Sequence, residues 1–144
     1  MSAEGGKTLP RASVTSLQMI EAGVSGPDTA NRLYICTGTA WLGRNLFAGE
    51  GMEETFTFYI GNLKFERLQF HRATATASVT GLQVKDADPA ATHEYGIAIN
   101  SIDADRDDES GQVEVRVELK AHAGPGVELA FETLTFQATV LAEV

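Results

Sequence analysis

Asp103, Asp105 and Asp107 alternate along an acid-rich run that ends at Gly111, and Glu114 follows a few residues later. Counted from Asp103, these residues fall on positions one, three, five and twelve of a loop that gathers carboxylate oxygens, the hard ligands that calcium takes. The match to a helical calcium loop is partial. Its sixth position, which needs glycine for a sharp turn, is Asp108, and strand-like sequence rather than helix flanks the run. A β-sandwich can also hold calcium between acidic loops at one end, and Asp86 and Asp88 would supply the second loop. The plainer reading, an acidic hairpin tip that is simply solvated and keeps the chain soluble, is preferred.

His71, His93 and His122 are the other candidate ligands. A β-barrel could gather them with Glu94 into a metal site, giving a small jelly-roll metalloenzyme, but the close His-x-His pairing of such sites is absent. The chain has no Gly-x-Ser-x-Gly elbow and no His-Glu-x-x-His. Gly5-Gly-Lys-Thr8 lacks the upstream glycine and the preceding strand of a phosphate loop. No catalytic residue is assigned, and a non-enzymatic protein is favoured.

Cys36 is the only cysteine, so no intramolecular disulfide can form, and its apolar setting predicts a small buried hydrophobe rather than a reactive thiol. Trp41, Arg44 and Phe47 fall within a glycine-studded segment, residues 41 to 51. It reads either as a loop folded back over the core or as an exposed contact patch, because aromatics and arginine are enriched where protein partners dock.

Charge narrows the partners. Eleven Lys and Arg stand against 20 Asp and Glu, a formal charge of -9, which disfavours nucleic-acid phosphate and anionic membrane surfaces. No run approaches the roughly 18 apolar residues of a membrane span, and residues 1 to 10 lack the apolar core of a signal peptide, which leaves the cytoplasm as the expected location.

The elements that position these residues read almost wholly as strands. Val113, Val115, Val117 and Leu119 alternate with Gln112, Glu114, Arg116, Glu118 and Lys120, the period of two of a half-buried strand. Tyr95 to Ile102 forms its hairpin partner, with a bulge expected near Asn100 and Ser101 and the acidic run as the tip. Arg32 to Leu42 is β-prone with no clear polar face, which predicts a central strand covered on both sides. Parity shifts predict a turn or bulge at Gly61-Asn62, another near Glu66-Arg67 and a bulge at Glu132-Thr133.

An apolar fraction of 43% with 22% charge predicts one packed domain, residues 12 to 144, after a flexible tail of residues 1 to 11. About seven or eight strands and no long amphipathic helix predict an all-β, two-sheet antiparallel sandwich of jelly-roll or immunoglobulin-like type. The function expected of it is contact: a protein-binding module or a subunit of a homo-oligomeric assembly. A calcium-dependent module that uses Asp103, Asp105 and Asp107 is the alternative.

Overall fold

A computed structural model describes residues 12 to 25 and 30 to 143; the tail at residues 1 to 11, with Gly5-Gly-Lys-Thr8, lies outside the described residues. Seven strands make up the described fold: β1 Ser13–Ser25, β2 Ala30–Leu46, β3 Gly51–Lys64, β4 Phe70–Asp86, β5 Tyr95–Arg106, β6 Gln112–Ala123 and β7 Val127–Glu143. They form two antiparallel sheets, β1-β2-β7-β4 and β3-β6-β5, packed face to face without closing into a barrel. No helix among the described residues is long and apolar enough to cross a membrane.

The strand order follows a nested winding. β2 pairs with β7, β3 pairs with β6, and β4 lies against β5 at the corner where the sheets meet. An immunoglobulin sheet would place the fifth strand beside the second. Here the seventh takes that place, as in a long hairpin rolled up into a jelly roll.

Period-two patterning builds the core. β6 turns Val113, Val115, Val117 and Leu119 inward, and β7 answers with Leu134, Phe136, Ala138 and Val140, all buried. Phe58 on β3 meets Phe136 on β7 with ring centroids 4.6 Å apart, which joins the two layers at their middle. Gly38 on β2 lies opposite Phe136 in the ladder, and a Cβ there would stand 2.9 Å from the ring and closer still to the Ser16 carbonyl oxygen. A glycine at this position lets the phenylalanine lie across β2.

The expected irregularities are present. β7 changes its buried parity at Glu132-Thr133, β5 slips register between Ile99 and Ser101, and Gly61 takes a φ of 49° as β3 leaves its regular pairing. Three expectations change. The acidic run is only half a tip: β5 carries Asp103 and Asp105 in the ladder, and the turn begins at Asp107. Residues 41 to 46 are strand, not a loop over the core, because Leu42 and Leu46 are buried on the inner face of β2. And β2, although central in its sheet, is covered by a second layer on one side only among the described residues.

Gly38→Val should overpack the β2–β7 contact and lower stability by about 1–3 kcal/mol in urea unfolding, whereas Gly23→Ala, where a Cβ meets nothing within 4 Å, should leave the midpoint nearly unchanged.

Candidate functional site

The acidic end of the sandwich is organised by its own side chains. Asp107 accepts hydrogen bonds from the Tyr59 hydroxyl at 2.8 Å, from the Ser110 hydroxyl at 2.9 Å and from the Glu109 amide at 3.3 Å. Those three donors, the Tyr59 hydroxyl first, hold its carboxyl below the usual carboxylate range. Arg106 closes the turn from the other side, donating to the Phe65 carbonyl at 2.6 Å and to Asp108 at 3.1 Å. Gly111 supplies the positive φ of 77° that returns the chain into β6.

Asp103 and Asp105 stand exposed on the outer face of β5, opposite Arg116 and Glu114. Arg116 bonds Glu114 at 3.0 Å, and this partner, with Asp103 and Asp107 beyond it, holds the guanidinium firmly protonated. The run therefore carries two arginines among its carboxylates, and Asp107 already has three donors. Asp86 and Asp88 do not join it. Asp86 pairs with Val127 at the end of the sandwich where β5 begins, while Asp103 lies eight residues along β5 from Tyr95, about 26 Å at ~3.3 Å per residue. Among the described residues no group of three or more His, Cys, Asp or Glu side chains is placed to hold a metal ion.

The histidines are separated too. His71 lies 3.9 Å from Glu143 at the acidic end, whereas His93 contacts Asp86 at 3.1 Å at the opposite end. His122 sits on the outer face of β6, its ring over Gly96. Cys36 is fully buried, and loss of hydration pushes its thiol up to about 11, so it stays protonated and inert at neutral pH.

The three residues singled out for contact part ways. Arg44 turns to the facing sheet and bonds Glu54 on β3 at 2.8 Å, so it ties the layers together. Trp41 is 46% exposed on the outer face of β2, and Phe47 is 57% exposed in the turn that follows.

They belong to a larger surface, the outer face of the four-stranded sheet. Its cross-strand rows are set by register: Ser78, Thr135, Thr39 and Ser16; then Thr76, Gln137, Thr37 and Gln18; then Thr74, Thr139, Ile35 and Ile20; then Arg72, Leu141, Leu33 and Ala22. The first three rows carry no charged side chain, on a protein of formal charge -9. Ile20, 66% exposed, stands beside Ile35, and Leu33 stands beside Leu141; none of the four belongs to the core cluster. Charge-free and apolar side chains on a sheet face that no described element covers can bind by burial, not by electrostatic selection.

Sequence reasoning did not single out Ile20, Leu33, Ile35 or Leu141. For Leu33 and Ile35 the signal is the missing polar face of residues 32 to 42, which predicts a second covering layer. No family model, no curated protein and no solved structure matches the chain.

The depressed Asp107 carboxyl has a signed consequence. Its folded-state value lies below its unfolded one, so it stabilises the fold above the ordinary carboxylate range and ceases to do so as pH falls through the depressed value. Tyr59→Phe should melt below the wild type at pH 7, and the gap should narrow below about pH 4, as read by circular dichroism melts across pH.

Proposed function

We propose that this protein is a non-enzymatic β-sandwich that works by contact, as a subunit of an assembly built through the outer face of its β1-β2-β7-β4 sheet. The observation that carries this reading is the pair of apolar neighbours that no described layer covers, the exposed Ile20 with Ile35 and Leu33 with Leu141, the last three half-buried, continuous with charge-free rows above them. Four rows on four strands span roughly 19 by 26 Å, or about 500 Å2, over half of the ~800 Å2 that each partner contributes to a standard interface. Trp41 extends the same face toward the Phe47 turn and supplies the kind of anchor that dominates interface energies.

A charged protein is kept apart from its copies by long-range repulsion, so a surface without charge is where copies approach at least cost. The hydroxyl rows suit that role, because threonine offers both a methyl group and a donor-acceptor hydroxyl to whatever meets it.

Light scattering after size exclusion tests the proposal. The wild type should run as a defined oligomer, and Ile35→Lys combined with Trp41→Ser should reduce its mass while its melting temperature stays within a few degrees. An unchanged mass in the double variant would remove this face from the interface.

A further inference from the structure

The four edges of the two sheets are not equally protected. β4 and β5 lie against each other at one corner, and β3 covers the first half of β1 at the other. There the Ala12 amide donates to the Thr57 carbonyl at 2.9 Å, and Leu17 reaches Gly61. Past Leu17, β3 turns away to pair Lys64 with Gln112. Gln18 to Val24 then runs on as a sheet edge with no strand beside it among the described residues.

Natural edges of that kind carry lysine, proline, a bulge or an inward charge that blocks further pairing. This one has only the last of them: Glu21 alternates with Leu17 and Met19 and stands opposite Tyr34, on the inward face of β1. The bulge of β1 lies earlier, between Val14 and Ser16. The one charge, Glu21, is matched at 3.1 Å by Arg32 of the neighbouring strand. Ile20 and Val24 are exposed β-branched residues, and a Cβ at Gly23 would meet nothing within 4 Å.

We infer that Ile20 to Val24 pairs antiparallel with the same segment of a second copy about a two-fold axis, fusing two four-stranded sheets into one of eight. Self-pairing is favoured over a foreign strand by charge. With Glu21 matched by Arg32, the edge carries no net charge on a protein of formal charge -9, so it offers nothing to select a basic or acidic segment, and it lets two like-charged copies meet at their least repulsive margin. An antiparallel two-fold near Ala22 also sets Ile20 of one copy opposite Val24 of the other, a β-branched pair of the sort that stabilises neighbouring strands. It would further bring the Leu33 and Leu141 pairs of both copies onto one continuous face; the inference rests on the reading above that the protein works as a subunit of an assembly, and places the contact at the edge of that face.

Hydrogen exchange on the wild type, read amide by amide at high and low protein concentration, tests it. In a lone domain only alternate amides of an edge strand are bonded, those that face β2. At high concentration, with twice the monomer mass in light scattering, consecutive amides from Ile20 to Val24 should be protected; on dilution to monomer, protection should fall back to every second one. Ala22→Cys should also cross-link the oxidised dimer, since Cys36 is buried. An oligomer whose edge keeps the alternating pattern at all concentrations would overturn the inference and leave the outer face as the interface. A wild type that stays monomeric throughout would overturn both.

Discussion

The contact on which the rest of the sandwich depends is Phe136 on β7 held between Gly38 of its own sheet and Phe58 of the other. Two sheets stack about 10 Å apart, and a ring that crosses that gap fixes both their separation and their alignment. Gly38 has no side chain to compete for the space, so β2 and β7 keep their register where the ring lies across them. Leu134, Ala138 and Val140 continue the same inner row on β7, and Val115, Val117 and Leu119 answer it on β6. The polar ends and the outer faces hang from this layer.

Topology adds a second constraint. β7, the last strand, enters between β2 and β4, so residues about a hundred positions apart must find each other before the larger sheet exists. Such long closures fold slowly, and during that time unpaired strands are exposed to other copies. The well-ordered hairpin of β5 and β6 is local by contrast. Its turn is held by Asp107 with Tyr59, Ser110 and the Glu109 amide, and by Arg106 reaching Phe65. Within the acidic run, Asp107 and Arg106 hold the turn, while Asp103 and Asp105 stand exposed on β5.

Charge and apolar surface are thus divided between two regions. Acidic residues gather on the outer side of the three-stranded sheet and at the hairpin end, while the outer face of the four-stranded sheet is charge-free over three rows and apolar in part of the next. That division explains how a protein with formal charge -9 can still offer a neutral surface to a partner.

The sequence by itself determined the elements. Alternation in residues 112 to 120 fixed β6 and its inward face, and parity shifts located the irregularities at Ile99-Ser101, Gly61 and Glu132-Thr133, because a period of two leaves no freedom in which side a residue faces. It also marked Cys36 as buried. Tertiary structure alone decided which elements meet. Asp86 and Asp103 fall at opposite ends, His71 is parted from His93, and Arg44 turns inward to Glu54, since strand order and direction, not local pattern, place loops and neighbours. The most telling case is β2. Leu33 and Ile35 write the same apolar pattern whether a second layer or a partner covers them, and only the layer arrangement shows that this chain's described residues leave them open.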